Sequence, residues 1–284
     1  MNPRKIDNED DLRRVEQMLS SFYNRRPDSY GLMERGQHEY DSYSDVVERV
    51  TPPNGRVLDL GCGTYRTPLQ LHQRGFVTTG CDLFSEEKLR EYRQKVGASG
   101  PRLVSYDGRT LPFDGETFDT VATLCVFEHL TRVERTLEEI HRVLKKDGFV
   151  VILGPNLSGP HRTVLGTLAF LKGQSRFWQY RSLPECLWGG MKILSWGIPL
   201  QFSGAPRFIT IYPLQENGTI KFEQPDDDAV HLNYPVSFRN YFTCNGYHLV
   251  EYNRKGGTSA WRRVFNRLFP SLATTIQIVA RKKL

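Results

Sequence analysis

The sequence predicts an α/β fold built on a doubly wound parallel sheet. Two observations carry that expectation. First, short apolar runs of strand length alternate with segments whose apolar residues recur at helical spacing between residues 56 and 153, the pattern of parallel strands covered by helices. Second, the opening run Val57-Leu58-Asp59-Leu60 passes straight into Gly61-Cys62-Gly63, and Asp82 closes the next run 21 positions after Gly61. Glycines let a backbone approach a ligand that a Cβ would block, and a carboxylate at that spacing is placed to accept hydrogen bonds from ribose hydroxyls. A nucleotide-type cofactor follows. Arg66 stands where a third glycine would complete the dinucleotide fingerprint, which argues against hydride transfer.

Taken in order, residues 7–22 set Leu12, Val15, Leu19 and Phe22 at helical spacing, and a shorter helix over 42–50 ends at Thr51-Pro52-Pro53. Residues 1–55 thus read as an N-terminal helical cap, and the core opens at Arg56. Thr67-Pro68 has the form of an N-cap followed by proline at the first helical position, with Gly75 as the stop, so Thr64, Tyr65 and Arg66 are expected in the loop. A strand over 76–81 and a helix over 85–96 follow, the helix placing Leu89, Tyr92 and Val96 on one side, and a third strand over 103–106 delivers Asp107. Residues 118–124 suit a central strand buried on both faces. Thr131-Arg132-Val133-Glu134 resembles a capping box opening a helix through Lys145, with Val133, Leu137, Ile140 and Leu144 inward and Gly148 as its end. The fifth strand is expected over 149–153.

Residues 155–235 read as an insertion. Asn217-Gly218 lies between Phe208–Ile211 and Ile220–Phe222, the signature of a type I′ hairpin, and Pro213 confines the first of these strands to an edge. The insertion also holds Phe170, Phe177, Trp178, Trp188, Trp196 and Phe202, more aromatic surface than a connector needs, and is expected to form a lid over an acceptor site. A helix over 236–245, a strand over 247–253 and a final strand over 274–280, paired with its predecessor, complete the chain.

Composition sets the remaining bounds. With 284 residues, 39% of them hydrophobic, the chain can bury one sizeable core. Cys62, Cys81, Cys125, Cys186 and Cys244 form no Cys-x-x-Cys pair and are expected to be reduced, as in a cytoplasmic protein. The charged N-terminus has no signal-like apolar core, and no apolar stretch reaches the roughly 20 residues needed to span a bilayer. Of the net charge of +6, eight basic residues and no acidic one fall between 253 and 284, which leaves −2 for the rest.

Six pieces arrive in an order that resembles the class I S-adenosylmethionine-dependent methyltransferases, in their small-molecule, ubiquinone-biosynthesis-like (type 11) branch. They are Val57 to Gly63; Gly80-Cys81-Asp82; Asp107-Gly108 with Leu111-Pro112-Phe113; Phe118-Asp119-Thr120-Val121; Phe127-Glu128-His129-Leu130; and Arg142 to Phe149. The resemblance implies a Rossmann-like, seven-stranded sheet with its last strand antiparallel, a core of residues 56–154 and 236–284, and S-adenosyl-L-methionine as cofactor.

It also implies roles for single residues. Gly61, Cys62 and Gly63 face the cofactor, Asp82 with its neighbour Leu83 takes the ribose, and Asp107 with the Gly108 amide meets the adenine, unless Asp107 is simply a turn aspartate. Asp59 either orients the loop or is buried for structure. Cys125 lies just past the fourth strand, where the family's backbone lines the cofactor. Tyr65 occupies the family's third glycine position; its ring over the methionine moiety and Arg66 on the methionine carboxylate is one reading, an exposed loop pair the other.

Methyl transfer to a hydroxyl benefits from a base, and His129 at the carboxyl end of the fourth strand is the candidate, with capping or packing as the plain alternative. The expected activity is methylation, at oxygen, of a small or lipid-linked acceptor. His231 beside Asp226-Asp227-Asp228 has no second histidine at ligand spacing, so the aspartates read as a solvated loop and no metal is expected. Trp261, Val264, Phe265, Leu268 and Phe269 share a helical face with Arg262, Arg263 and Arg267 elsewhere; this basic amphipathic pattern serves either peripheral contact with a membrane surface or a helix packed on the core between the last two strands. An RNA methyltransferase and a non-catalytic binding protein are the alternatives. Against nucleic acid stand the lack of an RNA-binding module and of an Asn-Pro-Pro-Tyr-like amine site.

Overall fold

The computed structural model describes residues 4–25, 37–159, 164, 167–168, 171–172, 182–213, 215–216, 219–220, 226–253, 264–266, 268–269, 272–273 and 275–283. Its centre is a seven-stranded sheet of β1 (Arg56–Leu60), β2 (Val77–Asp82), β3 (Arg102–Ser105), β4 (Phe118–Leu124), β5 (Leu144–Pro155), β8 (Tyr247–Tyr252) and β9 (Thr275–Lys282), in the order β3-β2-β1-β4-β5-β9-β8. Strands β1 to β5 pair in parallel, and β9 runs antiparallel to both β5 and β8. The doubly wound α/β sheet with an antiparallel last strand is therefore as expected.

Both faces of the sheet are covered, which is why its central strands are continuously apolar. On one face, α5 (Val133–Val143) and α7 (Pro235–Cys244) bring Val133, Leu137, Ile140, Phe238 and Phe242 onto Leu58, Val121 and Val150. On the other, Tyr43, Val46 and Val47 of α2 (Gln37–Val50) and Leu71 of α3 (Arg66–Gln73) pack on Val57, Ala122, Val151 and Val279. Helix α4 (Glu86–Val96) starts where Ser85 accepts a hydrogen bond from the Lys88 amide, as its N-cap position demands.

Three local expectations are corrected. Helix α3 starts at Arg66 with Tyr65 as N-cap, so Thr67 lies buried inside its first turn rather than before it, and Pro68 stands at the third helical position instead of the first, where a proline still costs no intrahelical bond. Arg66 is accordingly helical, not a loop residue. No capping box opens α5: Thr131 Oγ1 donates to Glu16 Oε1 at 3.2 Å, and Arg132 Nε binds the same oxygen at 2.6 Å, so the cap side chain serves α1 (Glu9–Arg25). Finally, α5 stops at Val143, and Gly148 lies inside β5. The β4–β5 register shifts between Phe118 and Thr120, and a Cβ on Gly148 would sit 2.9 Å from the Asp119 carbonyl oxygen. The glycine thus marks a bulge with close backbone approach, not a helix stop.

Within the insertion, α6 (Leu183–Ser203) sets Ile193 and Leu200 against Leu157, Ile209, Ile211, Leu232 and Tyr234. The hairpin is shorter than expected: β6 (Gln215–Glu216) pairs with β7 (Thr219–Ile220), with Asn217-Gly218 outside the described residues. Thr210 and Ile211 instead bridge His231 and Lys5. Val15 and Leu19 of α1 pack on Tyr212 and Val230, which binds α1 to the insertion while α2 joins the sheet. Trp188 and Phe202 are exposed and Trp196 partly buried, whereas Phe170, Phe177 and Trp178 lie outside the described residues. All five cysteines are free thiols. Among the described residues no helix is long and apolar enough to cross a membrane.

The C-terminal helical residues are not packed on the core by their apolar side. Val264, Phe265, Leu268 and Phe269 are exposed, and Asn266 is the buried one; Trp261, Arg262, Arg263 and Arg267 lie outside the described residues.

Candidate active site

The carboxyl ends of β1, β2 and β4 converge on one cleft, the place where open α/β sheets bind ligands. Gly61 turns the chain out of β1 with φ +71°, and its amide donates to the Cys81 carbonyl at 2.8 Å. A Cβ there would lie 2.4 Å from Val126 Cγ2, so no other residue fits. Gly63, with φ +64°, opens on free space, a Cβ meeting nothing within 4 Å.

Asp82 locks this loop to the end of β2. Its Oδ2 accepts from the Gly63 amide and its Oδ1 from the Leu83 amide, each at 2.6 Å. Burial raises the Asp82 carboxyl above its ordinary range, and the two amides work against that rise. Leu83 is half-exposed and lies directly over Gly108 (φ +75°), where a Cβ would stand 3.3 Å from Leu83 Cδ2, so bare backbone is what lets the apolar side chain settle there. Asp107 is exposed and takes the turn role: its Oδ1 accepts from the Thr110 and Arg109 amides at 2.8 Å each, which hold its carboxyl below the usual range.

Asp59 is buried under the loop, where Tyr43 donates to its Oδ1 at 2.6 Å, and burial pushes its carboxyl up to about 6. Cys62 Sγ fills the space beside Gly80, and burial raises its thiol, so it packs rather than reacts. The Tyr65 ring turns to α4, 5.4 Å from the Tyr92 ring and under Lys95, and Arg66 is exposed at the head of α3. Cys125 follows β4 in the left-handed region, φ +54°, with its amide bonded to the Leu153 carbonyl at 2.7 Å. That strained turn redirects the chain into the 3₁₀ turn Phe127–His129.

His129 meets partners that sequence reasoning missed. Its Nδ1 lies 3.4 Å from Asp228 Oδ2 and its Nε2 3.8 Å from Glu128 Oε1, while Tyr23 donates to Asp228 Oδ2 at 2.6 Å. Burial alone would depress the imidazole, but Asp228, Glu128 and Asp226 outweigh it and push His129 up to about 9. The aspartate run is not the solvated loop expected: Asp227 and Asp228 are buried. His231 is buried and neutral, its value pressed down to about 4 by desolvation, and it binds Asn233, whose Nδ2 donates to Glu128 Oε2. Glu128, His129 and Asp226 bring one ligand-capable atom each within 4.8 Å of one another, with His129 supplying the opposing positive charge. The aspartate run and the Phe-Glu-His triplet were visible in the chain; Tyr23 gave no signal.

An adenosyl sulfonium fits these residues. The Gly61–Gly63 bend leaves open space at Gly63 that a larger side chain would take, Leu83 over Gly108 offers a half-exposed apolar surface, and Asp59, Asp82, Glu128 and Asp228 give the cleft the acidic character a cation favours.

Residues 58–152 match the model of the methyltransferase domain family. A phosphatidylethanolamine N-methyltransferase of Cereibacter sphaeroides is 39% identical over 112 residues, 38% of this chain and 54% of that one. A ubiquinone/menaquinone biosynthesis C-methyltransferase of Geotalea daltonii is 33% identical over 155 residues, 47% and 63% respectively. The chain thus spans about half to two thirds of the length of these relatives. The 1,6-didemethyltoxoflavin-N1-methyltransferase of Burkholderia thailandensis, solved with 1,6-didemethyltoxoflavin and S-adenosylhomocysteine, shares the fold, with a TM-score of 0.55, 14% identity, and coverage of 99% of this chain and 95% of that one.

Proposed function

Residues 58–152 form a class I S-adenosylmethionine-dependent methyltransferase domain of the small-molecule type, and from that premise we propose that the protein methylates a small or lipid-linked acceptor at oxygen. The observation that carries the choice of oxygen is the His129–Asp228 pair at the end of β4. The cofactor supplies a methyl group already activated on a sulfonium. The protein's part is chiefly alignment, an effect that reaches about 7–11 kcal/mol.

In this reading the Gly61–Gly63 backbone receives the methionine end, with Cys62 and Asp59 behind it. Asp82 accepts from the ribose hydroxyls. Leu83, Asp107 and Gly108 enclose the adenine, and the backbone at Cys125 lines the floor. Tyr65 and Arg66 belong to the α3–α4 face instead; because the Tyr65 ring packs on Tyr92, its presence at a glycine position does not favour the binding-only alternative.

His129 is the base. Asp228 faces the ring at Nδ1 and fixes its orientation, and Nε2, which faces Glu128 Oε1 at 3.8 Å, is the atom that takes the acceptor proton. A cationic cofactor in the same cleft lowers the high value of His129 toward the working range. The insertion, residues 155–235, supplies Asp228 and forms the acceptor lid together with the N-terminal cap. The two relatives act, by their names, at nitrogen and at carbon, so the atom methylated is the point to test.

The test offers the purified chain methyl-labelled cofactor with phenolic, quinol, carboxylate and aminophospholipid acceptors and with RNA. Label in hydroxyl acceptors supports the proposal. Label only in amines, carbon or RNA refutes the choice of oxygen, and calorimetry showing no binding of S-adenosylmethionine or S-adenosylhomocysteine refutes the whole reading.

A further inference from the structure

Helix α6 confines Glu185, Lys192 and Ser203 to one narrow stripe and is largely apolar over the rest of its circumference, a wider apolar face than a surface helix needs. Its Cys186, Gly189, Gly190, Ile193, Gly197 and Leu200 are buried on the protein. Its other side nevertheless stands open: Leu187, Trp188, Met191, Ile198 and Phe202 are 49–85% exposed. Two further segments add to this surface. Val164, Leu168 and Leu171, at helical spacing, are 48–64% exposed, and Thr167 Oγ1 lies 3.0 Å from Cys186 Sγ, which places that segment against the start of α6. Leu268, Phe269 and Leu272 are 38–66% exposed, and the next residue, Ala273, accepts a hydrogen bond from Asn156, whose neighbour Leu157 packs on Ile193 of α6. Apolar side chains in such number on one region exceed the scatter of an ordinary surface.

The charges in the same segments identify the occupant. Residues 155–209 hold Arg162, Lys172, Arg176, Arg181, Lys192 and Arg207 against Glu185 alone, and residues 254–274 hold five basic residues and no acidic one. Lys192 sits 5.3 Å over the Trp196 ring, an apolar stem with its charge at the rim. A second copy of this chain would bring together segments that both carry a net positive charge. An anionic bilayer matches both features, because its headgroups answer the net positive charge of these segments and its acyl boundary takes the apolar side chains. Since no described helix is fit to cross a membrane, the helix lies in the interface plane.

We propose that α6, with the flanking exposed side chains of Val164, Leu168, Leu171, Leu268, Phe269 and Leu272, docks the protein peripherally on an anionic lipid bilayer. This deepens the lipid-linked acceptor of the functional reading, yet it is measured without cofactor or acceptor. Co-sedimentation is run with vesicles of phosphatidylcholine alone and with added phosphatidylglycerol, at low and high salt. The expected result is binding to anionic vesicles that weakens with salt, together with a blue shift of tryptophan emission. The double variant Trp188→Ser with Phe202→Ser changes only exposed side chains, so it should fold and lose binding at least tenfold with the shift abolished. Gly63→Ala should keep vesicle binding while its cofactor binding weakens, which separates this proposal from the functional one.

Three results would overturn the proposal: no binding to anionic vesicles at low salt, equal binding by the double variant, or a dimer in solution that the double variant dissolves.

Discussion

Tyr23 donates its hydroxyl hydrogen to Asp228 Oδ2 at 2.6 Å, across 205 positions of sequence. That same oxygen lies 3.4 Å from His129 Nδ1. One buried carboxylate oxygen therefore joins α1, the insertion and the end of β4, so the cap is fastened to the cleft rather than merely resting over it. Burial and the Asp228 charge raise Tyr23 well above its ordinary value, so it stays protonated as the donor.

Tyr23→Phe removes a hydrogen bond to a charged group, worth about 1.5–3 kcal/mol. Denaturant unfolding should show a loss of that order. Because Tyr23 and His129 share Oδ2, the variant should also strengthen the Asp228–His129 pair and move the rising limb of the pH–rate profile to higher pH. An unchanged profile would mean that Tyr23 only ties α1 down.

His129 gives opposite signs for stability and rate. Its folded value of about 9 lies above the ordinary 6.5, so the stability it contributes is fully present below 6.5 and is lost as pH rises through 9. A base must be deprotonated, so methyl transfer should rise over the same window. His129→Gln is expected to reduce turnover by about 10²–10⁴ while S-adenosylhomocysteine binding persists. It should also cost up to about 3 kcal/mol of stability near pH 6, a difference that fades toward pH 10. Turnover independent of pH between 6.5 and 9, or full turnover in the variant, would remove the role.

The sheet was legible because each parallel strand is a short apolar run between turn residues, and β4 matches its expected bounds, Phe118–Leu124. The glycine loop and Asp82 were legible for the same local reason: φ values of +71° and +64° mark them as turn-formers, and their partner lies at fixed spacing. What escaped was set by tertiary contact. Thr131 looks like a cap until Glu16 claims it. Gly148 looks like a stop until the bulge against Asp119 explains it. Three adjacent aspartates look solvated until Tyr23 and His129 arrive from far away in the chain.

The two loop glycines should separate folding from binding. Gly61→Ala places a Cβ 2.4 Å from Val126 Cγ2 at φ +71°, so it should destabilise the fold and abolish cofactor binding together. Gly63→Ala meets nothing within 4 Å and carries only the left-handed strain, about 1–2 kcal/mol. Its melting temperature should stay near the wild type while calorimetry shows weakened S-adenosylhomocysteine binding. A Gly63→Ala protein that binds normally would move the cofactor off this loop.

Glu128, His129 and Asp226 approach the spacing of a metal triad. Protonated His129 already answers their charge, and a ligating imidazole must be neutral. Dialysis against a chelator should therefore leave the initial rate unchanged. A fall restored by one divalent cation would reassign the cluster.

Asp59 tests whether the loop carries a strained charge for function. Burial lifts its carboxyl to about 6 from an ordinary 3.8, so the unfolded chain gives up that proton first and stability falls as pH rises from 3.8 through 6. Asn keeps an oxygen for the Tyr43 hydroxyl but removes the charge. Asp59→Asn should thus match the wild type near pH 4 and exceed it by up to about 3 kcal/mol at pH 7, while binding S-adenosylmethionine, a cation, more weakly. Thermal melts at the two pH values and a calorimetric titration decide it. A variant less stable at pH 7 would mean that the buried carboxylate is satisfied by its surroundings, and that the acidity of the cleft costs the fold nothing.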